Sequence, residues 1–106
     1  MERIDNKNPE DYDGNTPLHN AAKNGNLDVC KEIIQHLDDI NPKDNDGGTP
    51  LHYASYFGAL ELCELFIEKI EDLNPYTNEG KTPIYFANDR NHRAVVSLLR
   101  LAQIKN

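Results

Sequence analysis

The chain has 106 residues, 18 acidic and 11 basic, for a formal charge of −7 at neutral pH; a field of that sign repels phosphate backbones and anionic lipid, which argues against nucleic acid and membrane surfaces as partners. No stretch approaches the roughly 20 apolar residues of a membrane span. The charged start Met1-Glu2-Arg3-Ile4-Asp5 lacks the apolar core of a secretory signal, so a soluble, intracellular chain, cytoplasmic or nuclear, is expected.

Glu2 to Pro9 aligns with Gln35 to Pro42, the tail of a second helix, so residues 1–12 read as the tail of a preceding or degenerate unit. From there the chain repeats every 33 residues: Asp13-Gly14-Asn15-Thr16-Pro17-Leu18-His19 returns as Asp46-Gly47-Gly48-Thr49-Pro50-Leu51-His52, then as Glu79-Gly80-Lys81-Thr82-Pro83-Ile84-Tyr85. Asn8-Pro9, Asn41-Pro42 and Asn74-Pro75 keep the period, as do Ala21, Ala54 and Ala87, and Cys30 and Cys63. A fixed period of this length marks a solenoid, in which each unit packs on its neighbours. The units run 13–45, 46–78 and 79–106 within one domain, near the lower limit of length at which such an array folds.

In each unit Thr16, Thr49 or Thr82 stands where a helix N-cap belongs. The proline that follows is pre-set for the first helical position and leaves no N–H unpaired, so a short first helix is predicted from Pro17, Pro50 and Pro83. It closes near Gly25 and Gly58, where glycine takes the left-handed conformation, with Asn91 in that place in the third unit. The second helix shows a buried stripe at the 3.6-residue period: Leu27, Cys30, Ile33, Ile34 and Leu37, repeated as Leu60, Cys63, Phe66, Ile67 and Ile70. Asn41-Pro42 and Asn74-Pro75 are expected to stop that helix, because the residue before proline is pushed out of the helical region. The tract Lys43 to Gly48 then has the glycine and Asx content of a tight turn. In the third unit Arg93, Arg100 and Gln103 replace Leu60, Ile67 and Ile70, as a polar C-terminal cap requires. Asn20, where later units carry Tyr53 and Phe86, reads as a polar adjustment at the other end, or the chain is cut from a longer array.

The repeated block, followed by an alanine, a glycine and a second apolar run, resembles the ankyrin repeat, whose signature is Thr-Pro-Leu-His-x-Ala with this period. The resemblance covers residues 4 to 106. It implies an all-α solenoid of stacked helix-turn-helix units with projecting β-hairpin loops, and a role in binding other proteins. It also implies that His19 and His52 tie the start of the first helix to neighbouring backbone.

Little else in the sequence suggests chemistry. His36 and His92 stand alone and are expected to be solvated, and no His or Cys pair has metal-ligand spacing. Cys30 and Cys63 lie inside apolar runs, which supply neither exposure nor a base to activate a thiol. Asp38-Asp39 and Glu71-Asp72 sit where a solvated loop explains them, and no glycine-rich phosphate loop is present. The expectation is no enzyme, no cofactor and no metal.

What remains is surface. In the ankyrin family the loop tips and the ends of the first helices line a concave recognition face. Carried onto this sequence, the tip positions are Tyr12, Asp13 and Asn15, then Asn45, Asp46 and Gly48, then Asn78, Glu79 and Lys81. The helix positions are Lys23-Asn24, Tyr56-Phe57 and Asp89-Arg90. Tyr56-Phe57 forms the kind of aromatic anchor that concentrates binding energy, unless one of the two, Phe57 before Tyr56, tucks against a neighbouring repeat. Tyr12 and Tyr76 extend the patch, and Asp13, Asp46 and Glu79 form an acidic column that either steers a basic segment or serves solubility.

The function expected is non-catalytic binding of another protein, one with a basic segment, by a monomeric domain through the concave face. Three rivals stand beside it: a stoichiometric inhibitor of an enzyme or transcription factor, a structural segment of a larger scaffold, and a substrate of an asparaginyl hydroxylase. The last rests on Asp39-Ile40-Asn41 and Asp72-Leu73-Asn74, which match a modified Asp-Val-Asn segment apart from Ile33 and Phe66 eight residues earlier and the prolines that follow.

Overall fold

The computed structural model of the chain describes residues 12–105; apart from Tyr12, the expected tail of a preceding unit lies outside them. Six helices follow in order: α1 (Pro17–Lys23), α2 (Leu27–Ile34), α3 (Pro50–Phe57), α4 (Leu60–Lys69), α5 (Pro83–Asp89) and α6 (Arg93–Lys105). They form three pairs. The first helices stack in one row, α1 on α3 on α5, and the second helices in another, α2 on α4 on α6. This is the all-α solenoid that the period predicts, and the described residues contain no strand.

Each first helix begins as its residues dictate. Thr16, Thr49 and Thr82 are extended, and their hydroxyls accept the backbone N–H three residues on, with proline at the first helical position. In the first two units the histidine completes a reciprocal cap: His19 Nδ1 accepts Thr16 N–H at 3.0 Å, and His52 Nδ1 accepts Thr49 N–H at 3.0 Å. An amide can only donate, so Nδ1 is unprotonated and Nε2 carries the hydrogen. That Nε2–H donates to a carbonyl of the following unit, His19 to Gly48 at 2.8 Å and His52 to Lys81 at 2.9 Å. Both imidazoles are buried.

The first helices close as expected, with positive φ at Gly25, Gly58 and Asn91. The backbone then returns a bond to the helix, from Asn26 to Ala21, Ala59 to Ala54 and His92 to Ala87. At Gly58 glycine is needed twice over, for its φ of 72° and because a Cβ would sit 2.5 Å from His92 Nδ1. His92 is therefore not solvated: it is half-buried, and its Nε2–H donates to Tyr56 O at 2.9 Å. His36 is exposed.

The second helices end five to seven residues before the Asn-Pro pairs expected to stop them, at Ile34 and Lys69. The reason is burial. The chain leaves α2 through bonds from His36 to Ile33 and Leu37 to Ile34, turns at Asp39 and Asp72, whose carboxylates accept Asn41 and Asn74 N–H, and so folds Ile40 and Leu73 inward to 9 % and 5 % exposure. A continued helix carries those side chains away from the core. Of the predicted stripe Cys30, Cys63 and Phe66 are wholly buried, joined by Leu62, while Leu60 lies at the surface. In α6, Arg93 and Arg100 are exposed, and Gln103 turns back to donate to Asn74 Oδ1 at 2.8 Å.

Between units the chain makes tight turns, closed from Gly47 N to Asp44 O and from Gly80 N to Thr77 O. Successive turns are laced together. Asn45 donates its backbone N–H to Asp13 O and its Nδ2–H to Tyr12 O, and Asn78 does the same to Asp46 O and Asn45 O. Gly14 and Gly47 permit this approach, because a Cβ at either would come within 3 Å of the next asparagine.

Two outcomes follow. Burial holds the His52 pKa below its ordinary 6.5, so the unfolded chain takes up a proton that the folded chain refuses. This contribution to stability is full above about pH 6.5 and is lost as the pH falls through and below it. The difference in denaturation midpoint between the parent and His52→Gln should therefore shrink from pH 7.5 to pH 5, as urea titrations at the two values will show. Burial also raises both thiols, Cys30 and Cys63, to about 11. A thiol reagent at neutral pH should label neither under native conditions and both in denaturant.

Candidate functional site

The helix row α1-α3-α5 and the turns at its edge frame a cleft of about 490 Å³. Tyr53, Tyr56 and Phe57 share its wall because residues three and four apart lie on one helix face, and Phe86 joins them from α5. The rings pack edge to face: Tyr56 on Phe57 at 4.9 Å, Tyr56 on Phe86 at 6.1 Å and Phe86 on His52 at 5.7 Å between centroids. That arrangement suits the ring quadrupoles. The histidine that caps α3 thus also backs the aromatic wall.

Tyr53 is fixed at both ends. Its ring meets His19 edge-on, and its hydroxyl donates to Asp44 Oδ2. Asp44 is buried, and its other oxygen accepts Gly48 N–H at 2.8 Å and Asp46 N–H at 3.0 Å, so this carboxylate holds the turn and the phenol together. Burial, reinforced by the bond to Asp44, raises the Tyr53 pKa above the ordinary phenol value and keeps it a donor. At the next turn Thr77 does the same work, its hydroxyl accepting Glu79 and Lys81 N–H.

Cations cover several ring faces. Lys23 lies 4.6 Å from the Tyr53 centroid, Arg90 4.7 Å from Tyr56 and Lys81 5.3 Å from Tyr85. Cation–π attraction at the surface orients these groups more than it stabilises the fold. Lys81 also pairs with Glu79 at 3.0 Å, which raises the lysine pKa. Among the described residues this is the only ion pair, and Asp46 stands on the cleft rim without one.

The structure gathers eight of the expected positions around the cleft: Lys23, Asp46, Gly48, Tyr56, Phe57, Asn78, Glu79 and Lys81. Arg90 reaches it through the Tyr56 ring. Asn15 is a correction: it is 6 % exposed, not at a tip. Its equivalent Gly48 is buried as well but lines the cleft. Asn45 is at a tip, but its amide and backbone are engaged in lacing the turns. Tyr12, Asp13, Asn24 and Asp89 are exposed outside the cleft, as is Tyr76, whose ring lies 5.2 Å from Lys43 Nζ. Of Tyr56 and Phe57, Tyr56 is the one packed against its neighbours, while Phe57 is 53 % exposed. Phe57 ends the helix, its ring edge-on to that of Tyr56. Tyr53 and Phe86 line the cleft beyond the expected residues, and the i, i+3, i+4 spacing of Tyr53, Tyr56 and Phe57 marks that face.

Comparison with known proteins agrees with this architecture. A family model for ankyrin repeats (3 copies) matches residues 2–76 and 18–106. No curated protein matches the chain.

Tyr53→Phe keeps the ring and removes its bond to a charged acceptor, so it should lower the unfolding free energy by about 1 to 2 kcal/mol. Chemical denaturation at neutral pH checks this. A variant as stable as the parent would show that Asp44 holds the turn without the phenol.

Proposed function

The chain belongs to the ankyrin-repeat family, and we propose that it is a non-catalytic module whose concave cleft binds a protein segment carrying an apolar anchor with a basic residue beside it. Domains of this family generally act as protein–protein interaction modules and are typically non-catalytic. No helix among the described residues is long and apolar enough to cross a membrane, and our reading places the module inside the cell as a monomer.

The observation that carries the reading is the cleft itself, with four aromatic rings on a wall buttressed by the buried caps of α1 and α3. Preformed aromatic walls give large contact area at small entropic cost, which is where binding energy concentrates. Phe57 offers the accessible ring and Tyr56 backs it. Asp46 supplies the rim carboxylate, since Glu79 is matched by Lys81.

Affinity purification from the source cell, with the parent and a Tyr56→Ala/Phe57→Ala variant as parallel baits, identifies the partner, and binding kinetics then test the site. Truncating both aromatics should weaken the complex by at least about 2 kcal/mol with the fold intact. Asp46→Lys should act chiefly on the association rate and its salt dependence, because rim charges steer encounter more than they hold the complex. Glu64→Ala and Glu68→Ala, exposed on α4 away from the cleft, should change neither quantity. A partner indifferent to Tyr56 and Phe57 but sensitive to the α4 glutamates would overturn the assignment.

A further inference from the structure

The outward positions of the second-helix row share one register, and their chemistry changes along the array. In the first unit they are Asp28, Lys31, Gln35 and Asp38, in the second Glu61, Glu64, Glu68 and Glu71, and in the third Ala94, Ser97, Leu101 and Ile104. Water is the natural neighbour of the first two sets. It is also the neighbour of the third: Leu101 is 59 % exposed and Ile104 78 %. A polar cap accounts for Arg93 and Arg100, but it does not account for leucine and isoleucine where the inner unit has glutamates.

The four residues are spaced by three, four and three along α6, so they form one straight stripe with the spacing of a two-helix seam. Along one edge of that stripe, seven residues apart, stand the exposed Arg93 and Arg100. They border a shallow groove whose lining, Asn88, Asn91, Val96 and Ser97 with the two arginines, belongs entirely to the third unit. All 18 acidic residues of the chain lie outside α6. An otherwise acidic chain thus carries in α6 a helix without a side-chain carboxylate, whose stripe runs from alanine and serine to exposed leucine and isoleucine beside two guanidinium groups.

We propose that this stripe is the docking seam for an amphipathic helix of a partner protein. Its apolar positions meet Ala94, Ser97, Leu101 and Ile104, and its flanking positions carry carboxylates that face Arg93 and Arg100. Charge selects the occupant. A second copy of α6 would bring guanidinium groups against guanidinium groups, and the equivalent positions of the second unit, three of them on α4, are all glutamate. None of the residues lining the concave cleft belongs to α6, so the seam is a second surface, independent of the first.

The test uses the full chain and two synthetic helices about three heptads long, both with leucine along the seam, one with glutamate and the other with lysine at the flanking positions. The glutamate peptide should shift backbone amide resonances of residues 94–104 and bind at least about tenfold more tightly than the lysine peptide. Leu101→Glu with Ile104→Glu, both at exposed positions, should weaken it by about tenfold or more, and Arg100→Glu should reverse the preference between peptides. Thermal melts of the variants matching the parent show that the fold is kept. The proposal is overturned if neither peptide binds, if the shifts fall on the cleft residues Tyr53 and Phe57, if binding survives the double substitution, or if sedimentation shows a parent dimer that the double substitution abolishes.

Discussion

Everything in this molecule hangs on a hydrogen bond that leaves one unit and ends in the next. The first-helix histidine spends Nδ1 on the threonine cap of its own helix, which forces the proton onto Nε2 and aims it at the carbonyl of Gly48 or Lys81. One ring therefore caps a helix and fixes the spacing of the neighbouring turn. Buried as these imidazoles are, each nitrogen must be satisfied, and a unit that slipped relative to its neighbour would strand one. In the third unit Tyr85 takes the histidine position and is 45 % exposed.

The cleft is a consequence of that spacing. Tyr53 and Phe86 occupy equivalent positions one unit apart, each edge-on to the histidine of the unit before. Their separation is the repeat spacing itself, and the rings of Tyr56 and Phe57 complete the wall. Asp44 ties the wall to the turn by accepting from the Tyr53 hydroxyl and from two backbone amides. A cleft built this way is held by the same contacts that hold the fold, which is the condition for binding without a large ordering cost.

The two helix rows serve different ends. The first row presents aromatic rings from α3 and α5 and turn tips to the cleft, while the second row changes its outward chemistry from mixed charge through glutamate to leucine and isoleucine. A solenoid permits this because outward positions touch neither neighbour, so substitution there is free of packing constraint. Surface identity is thus written unit by unit on a backbone that does not vary.

The sequence by itself determined the period, the helix starts at Pro17, Pro50 and Pro83, the left-handed closures at Gly25, Gly58 and Asn91, and the family, since each depends on local backbone chemistry that a few adjacent residues settle. It also placed Tyr56, Phe57, Asp46 and Lys81 on the face where the cleft lies, because a repeat register carries positions faithfully. Tertiary structure alone decided what neighbours do to those positions. It buried Asn15, packed Tyr56 against its neighbours and left Phe57 open, brought His92 onto Gly58, and drew Ile40 and Leu73 into the core so that α2 and α4 end ahead of their prolines. These outcomes turn on contacts between residues up to 36 apart, and the free energy of burial that decides them belongs to the packed stack, not to any stretch of chain read alone.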